Sequence, residues 1–218
     1  MEMNRGVCFV AWGQQHLTEA INASAYATKQ GLPTCLLTDE APEAYLPHFT
    51  IVKKVDFTRF NNINQMFRKW ICLTETPFQN TCYLDTDCTV QGDLSLGFLK
   101  AEQHGICLTI APGMTFLYEK EYIHYNGALM FFTSYRPDLQ RQLIFHAQRN
   151  QSINGDEPVV SLVLDAMNIN PVVLPSTFCL VRSGQIHTRP IRVFHSMGWP
   201  ATHLASDQYG NDFPRISP

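Results

Sequence analysis

Apolar and polar positions along this chain follow two alternating periods. Val7 to Trp12 is an unbroken apolar run of strand length, and Gly13-Gln14-Gln15-His16 reads as a loop after it. From Leu17 the spacing changes: Leu17, Ala20, Ile21, Ser24, Ala25 and Thr28 recur at helical intervals up to Gln30, and Gly31 supplies the stop. A second short run, Thr34 to Thr38, ends at Asp39, which completes a strand–helix–strand unit. Ile51 to Val55 is the next strand. Ile63, Met66, Phe67, Trp70, Ile71 and Thr74 then mark one face of a helix that Pro77 terminates, a stripe that reads as core packing.

The second half repeats the alternation. A strand ends at Asp85, a short helix is expected over Leu94 to Glu102, and strands over Gly105–Ala111 and Tyr125–Phe132. Ser134 to Asn150 reads as a helix with Ser134 as its cap, and a further helix is entered at Pro158 with Val159, Leu162, Val163 and Ala166 on its buried face. Pro171–Pro175 and Ile191–Phe194 are late strands. This order predicts an α/β fold, with nucleotide-type ligands bound just beyond the strand ends.

Composition narrows the class. With 218 residues, 45% of them hydrophobic, the chain supports one substantial core, so a single domain is expected over residues 1–200 with a polar tail at 201–218. A net charge of −3 gives no general attraction to nucleic acid or to anionic membrane, although a local basic groove stays open. The seven cysteines are scattered, with no Cys-x-x-Cys pair and no tight Cys/His cluster, so neither a zinc site nor a disulfide framework is expected, and they read as buried free thiols. Apolar strands begin at once with no charged leader before them, and no run approaches the ~20 residues that span a bilayer. A cytoplasmic protein without a membrane span is the expectation.

The chemistry is concentrated in Tyr83-Leu84-Asp85-Thr86-Asp87-Cys88-Thr89-Val90-Gln91-Gly92-Asp93-Leu94. A buried strand is expected to end in two carboxylates one residue apart. If that end stays extended or bends slightly, Asp85 and Asp87 point to the same side and converge on one cation. Oxygen ligands with open positions suit Mg²⁺ or Mn²⁺, which completes its shell with water and substrate phosphate. Asp-Thr-Asp is also ordinary turn composition.

This segment resembles the "YLDxDxxVxGDL" motif of nucleotide-sugar glycosyltransferases of the GT-A fold, above all the family that includes glycogenin and the bacterial lipooligosaccharide galactosyltransferases. The resemblance implies a Rossmann-like mixed sheet flanked by helices, with Asp85 and Asp87 binding Mn²⁺ or Mg²⁺ on a donor diphosphate and Thr86 between them. Three further stretches agree in order. Tyr125-Asn126-Gly127-Ala128-Leu129-Met130-Phe131-Phe132 is similar to the family's "FNxGVMLF" strand, which implies that Asn126 and Gly127 lie beside the sugar. Asp156-Glu157 stands where the family has "DQxxLN", an acid replacing the usual Gln next to the reacting sugar. His195-Ser196-Met197-Gly198-Trp199-Pro200 is similar to the closing His-x-x-Gly-x-Lys-Pro motif, implying His195 as third metal ligand and Gly198 at the phosphates. No Lys stands between Gly198 and Pro200, so that cation is missing or comes from elsewhere, such as Arg189 or Arg192.

The same resemblance implies donor contacts from Ala11, Gln15 and Asp39, and from one of Arg68 and Lys69 near the phosphates. The expected function is a metal-dependent transfer of a sugar from a nucleotide-diphosphate donor, UDP-class, to a hydroxyl acceptor with retention of configuration. Asp156 or Glu157 would activate the acceptor or stabilise the oxocarbenium-like centre. The acceptor class stays open among saccharide, protein side chain, small molecule and hydroxylated DNA base. A nucleotidyltransferase is the alternative, though Ala11-Trp12-Gly13-Gln14-Gln15 lacks the positive charge its phosphate loop needs. A non-catalytic sugar-nucleotide-binding protein is the third reading.

Overall fold

A computed structural model describes residues 4–60, 62–117, 120–150, 155–181 and 192–195. Strands β1 (Arg5–Val10), β2 (Thr34–Thr38), β3 (Ile51–Lys54) and β4 (Asn80–Leu84) lie parallel, with Cys8 opposite Cys35 on one side and Tyr83 on the other. Beside β4 runs β7 (Lys120–Thr133), antiparallel with Leu84 opposite Leu129, followed by antiparallel β6 (Ile106–Leu117) and the edge strand β8 (Val172–Val173). The sheet order is thus β3-β2-β1-β4-β7-β6-β8. A second, three-stranded sheet is built from β5 (Cys88–Val90), β9 (Leu180–Val181) and β10 (Val193–His195), in the order β5-β10-β9.

Helices cover both faces of the large sheet, which explains why its strands read as apolar runs and not as alternating patterns. On β1, Val7 and Phe9 pack in a cluster with Leu17 of α1 (Gly13–Lys29) and Phe98 of α3 (Ser95–His104). Cys8 and Val10 pack in a second cluster with Trp70 of α2 (Arg68–Cys72), Leu143 of α4 (Pro137–Arg149) and Val159 of α5 (Glu157–Ala166). The mixed α/β single domain is therefore as the sequence implies.

Several boundaries differ from the sequence reading. Gly13 takes φ +69°, which lets the chain swing directly from β1 into α1, so the expected loop over residues 13–16 is the helix's first turn. The stripe from Ile63 to Thr74 is not one helix: 3-10 turns at Gln65–Phe67 and Leu73–Glu75 flank the five-residue α2. Its buried face holds for Phe67, Trp70 and Ile71, whereas Met66 is exposed. Ser134 is not a cap, because it sits at φ 51° in the connection and α4 begins at Pro137. Cys88–Val90 forms a strand where only a turn was expected. Among the described residues no helix is long and apolar enough to cross a membrane.

Candidate active site

Strand order turns back at β1: β2 and β3 lie to one side of it and β4 to the other. Crossovers leaving in opposite directions open a crevice at the carboxyl ends of β1 and β4, the usual ligand position in such sheets. A cavity of about 240 Å³ occupies it, lined by Val10 and Trp12 after β1, Gln15 and Glu19 from α1, Lys69 from α2, Tyr83 from β4 and residues 85–87 beyond it.

The two acids both line the cavity but have different partners. β4 stops at Leu84, and the Cys88 N–H donates to the Asp85 carbonyl at 3.0 Å, closing Asp85-Thr86-Asp87-Cys88 into a tight turn. The strand end therefore bends into a turn and does not stay extended. Asp85 accepts from the Lys69 ammonium at 3.1 Å and from the Tyr83 hydroxyl, while Asp87 faces His195, with Oδ1 3.3 Å from Nε2. Between them the Thr86 hydroxyl donates to Glu19 at 2.9 Å.

Lys69 also lies 3.4 Å from Asp156, so one ammonium bridges two carboxylates. Burial opposes its charge, but Asp156 and then Asp85 overcome that cost and hold its pKa well above the usual lysine range. Asp156 stands at the head of α5, yet it is only 2% exposed and accepts from the Trp70 indole N–H, so it is not a solvated helix-start acid. Gly127 borders this pair on β7: a Cβ there would stand 2.7 Å from Asp156 Oδ2 and 3.0 Å from Lys69 Nζ. Glu157 is more open, with His124 Nδ1 3.7 Å away, and burial followed by the charge of Asp156 raises its carboxyl pKa.

Asn126 is buried in β7 rather than in a turn. Its side-chain oxygen accepts from the Ala128 N–H at 2.8 Å and its NH₂ approaches Cys179 Sγ at 3.5 Å, so the amide orients protein groups from beneath the site. His195 pairs with Cys88 across β10 and β5, and donor atoms of Asp87, Cys88 and His195 lie within 4.8 Å of one another. His195 Nδ1 is buried without a hydrogen-bond partner among the described residues. Burial works against a charged His195, yet Asp87 and Cys179 prevail and push its pKa up to about 10. Cys179 is held down to about 6 by the neighbouring Cys88 thiol, against burial and with help from His195. Donor atoms of an acid, a thiol and an imidazole this close together fit a divalent ion.

The remaining sequence candidates fall in different places. Ala11 is buried at the end of β1 and its N–H donates to Leu37 at 3.0 Å. Gln15 lines the cavity and donates to Glu19 at 3.1 Å. Asp39 is exposed beyond β2 and is not among the cavity's lining residues. Arg68 lies with its guanidinium 5.1 Å from the Trp12 ring centre. Arg192 is engaged by the Asp93 carbonyl and, at 3.7 Å, its carboxylate. Gly198, Arg189 and the tail at 201–218 lie outside the described residues. Sequence reasoning missed Trp12, Glu19, Tyr83 and Trp70 as site residues. The one available signal was an aromatic at a strand's carboxyl end, where Trp12 and Tyr83 both sit.

Known structures share this overall fold. An active-site Gln-to-Glu mutant of LgtC superposes with a TM-score of 0.64 at 14% identity, covering 88% of this chain and 87% of that one. The chain has the GT-A glycosyltransferase fold. Mouse xyloside xylosyltransferase 1 in its apo form matches with a TM-score of 0.62 at 10% identity, over 88% of this chain and 97% of the other. The glycosyltransferase GlyE of Streptococcus pneumoniae gives 0.54 at 15% identity over 80% of this chain, which spans 46% of GlyE. No family model matches the sequence, and no curated protein does. The GT-A likeness is thus one of fold.

Proposed function

We propose that this GT-A protein is a metal-dependent glycosyltransferase that moves a sugar from a nucleotide-diphosphate donor, UDP-class, to a hydroxyl acceptor with retention of configuration. The observation that carries this reading is the cavity at the β1/β4 crevice, which Trp12, Lys69, Asp85 and Asp87 line together. An aromatic ring suits a nucleobase, and a cation beside carboxylates suits a diphosphate bound together with an ion.

Each residue has a distinct task. Asp87 and His195 would hold the divalent ion, Mn²⁺ or Mg²⁺ in the reading from the family motif. When bound, such an ion offsets negative charge on a departing diphosphate. Lys69 supplies a second positive charge on the same side. Asp156, fixed by Trp70 and Lys69, presents a negative charge beside Gly127, where the strand backbone can approach the sugar, and favours the oxocarbenium-like centre. Glu157 is the more accessible acid, and its raised pKa suits it to take the acceptor's proton. Asn126 supports the sugar site by fixing the Ala128 backbone.

The test is mass spectrometry of the protein incubated with a panel of nucleotide sugars, Mn²⁺ or Mg²⁺ and candidate acceptors. Transfer or slow release of free sugar with a nucleoside diphosphate is expected; Asp87→Asn should abolish it and Asp156→Asn should lower it by about 10²–10³-fold. Release of pyrophosphate from nucleoside triphosphates with sugar phosphates would favour a nucleotidyltransferase. Tight donor binding without turnover for every donor would favour a sugar-nucleotide-binding protein.

A further inference from the structure

Asp156 and Glu157 are neighbours in sequence but are held in unlike ways. Trp70 and Lys69 fix the Asp156 carboxylate. The Glu157 side chain is 33% exposed and, among the described residues, has His124 as the one basic side chain within ion-pair distance. His124 lies on β7 ahead of Asn126 and Gly127, and its own side chain is only 16% exposed, with Nδ1 3.7 Å from Glu157 Oε2. We propose that His124 is a positioning residue for the acceptor: its Nδ1–H takes one oxygen of the Glu157 carboxylate and leaves the other aimed at the acceptor hydroxyl. This rests on the reading of Glu157 as the acceptor's base.

The two backbones are already locked together. The Tyr125 N–H donates to Ser161 Oγ at 3.4 Å, and that hydroxyl donates to the Glu157 carbonyl at 2.9 Å, so the first turn of α5 is pinned beside His124. What the backbone does not fix is the long, rotatable Glu157 side chain, whose ordering costs entropy unless a partner holds it. A separation of 3.7 Å is longer than a hydrogen bond, and it closes by a small side-chain rotation once an acceptor displaces solvent from the carboxylate.

Electrostatics favours the required tautomer. Burial holds the His124 pKa below its ordinary value, so the ring is neutral at neutral pH and carries a single N–H. A carboxylate facing Nδ1 keeps that proton on Nδ1. Around Glu157, burial and then Asp156 raise its pKa, while the Gly127 backbone, Lys69 and His195 oppose the rise. From β6, Thr109 and Ile110 stand opposite Asn126 and Tyr125 and carry no charge, and further out Lys120 and Asp165 pair with each other. In the step served, the acceptor O–H bond breaks as its proton moves to Glu157, the oxygen's electron pair bonds the anomeric carbon, and the diphosphate leaves with the pair of the bond it loses. His124 keeps its proton throughout.

The test joins ¹⁵N NMR of the histidine-labelled protein, with the His124 signals assigned by their loss in His124→Asn, to turnover of a panel of UDP-hexoses in Mn²⁺ with water as acceptor. Above its titration the His124 ring should carry its proton on Nδ1 in wild type and revert to the Nε2–H form in Glu157→Ala. His124→Ala should lower kcat roughly 10–100-fold, part of what a positioned base contributes, with the donor KM nearly unchanged. His124→Asn, whose amide puts a donor where Nδ1 stood, should recover most of that rate, and His124→Gln, whose amide reaches toward the Nε2 position, should not. A neutral His124 protonated on Nε2 in wild type, a tautomer unmoved by Glu157→Ala, or equal losses in the Asn and Gln variants overturns the proposal. Should His124→Ala fail to fold, the tautomer in wild type and in Glu157→Ala decides alone. Any of the overturning results beside an impaired Glu157→Gln leaves the base reading standing, whereas Glu157→Gln turning over like wild type sinks that reading and the proposal with it.

Discussion

Lys69 Nζ stands 3.4 Å from the Asp156 carboxylate, joining α2 to the head of α5 across the end of the sheet. The same ammonium is 3.1 Å from Asp85, and its side chain is 12% exposed, so the three charges are mutually dependent. Removing the cation leaves two carboxylates facing each other with little solvent. Lys69→Met should therefore cost about 3–5 kcal/mol of stability, and adding Asp156→Asn should restore part of it. Denaturant unfolding of the two variants checks this; equal stability of Lys69→Met and wild type would contradict it.

Gly127 is required by this pair and not by its backbone angle. A methyl group there would press on Asp156 Oδ2 at 2.7 Å, an atom already fixed by Trp70. Gly127→Ala should displace the carboxylate by a fraction of an ångström and lower kcat by roughly 100-fold, while the thermal midpoint moves by only a few degrees. Unchanged turnover would place Asp156 away from the reacting sugar.

Asp156→Asn separates charge from shape. The amide can still accept from Trp70, and Lys69 keeps Asp85 as its partner, so folding should largely survive. Turnover should fall by about 10²–10³-fold, the scale of losing one preorganised electrostatic group. A large loss of stability with normal turnover of the folded fraction would make Asp156 a purely structural residue.

Glu157 gives a pH signature. Its folded pKa is raised, so the folded state binds its proton more tightly than the unfolded chain and stability falls as pH rises from the model-peptide value of 4.5 through the raised value. Above that window the ionised carboxylate is a liability. Glu157→Gln should accordingly melt higher than wild type at neutral pH, with the difference vanishing below about pH 4. Melting curves across pH check it; a difference that grows toward acid would reverse the sign and refute the cause.

How much of this was legible in the sequence differs by residue. The β1-α1-β2 unit was readable because the spacing changes from an unbroken run to a helical repeat within a few positions. The importance of Asp85 and Asp87 was readable from the segment around them, but their different partners, Lys69 and His195, were not. That outcome depends on the bond from Cys88 N–H to the Asp85 carbonyl and on Lys69, sixteen positions upstream. Gly127 was readable as a place of close approach, though its neighbours are Asp156 and Lys69. The grouping of Cys88, Cys179 and His195 was invisible, because only pairing among three short strands brings such distant positions together.

The most direct test of the account is calorimetric titration of UDP into the chelator-treated protein, with and without a divalent ion, for wild type and for Asp87→Asn and His195→Ala. An unneutralised diphosphate in the cavity would meet Asp85 and Asp87 of its lining, so binding should be tight only with the ion present, and both variants should lose that ion dependence. Equal UDP affinity in excess chelator and in excess metal, or variants indistinguishable from wild type while folded, would contradict the account.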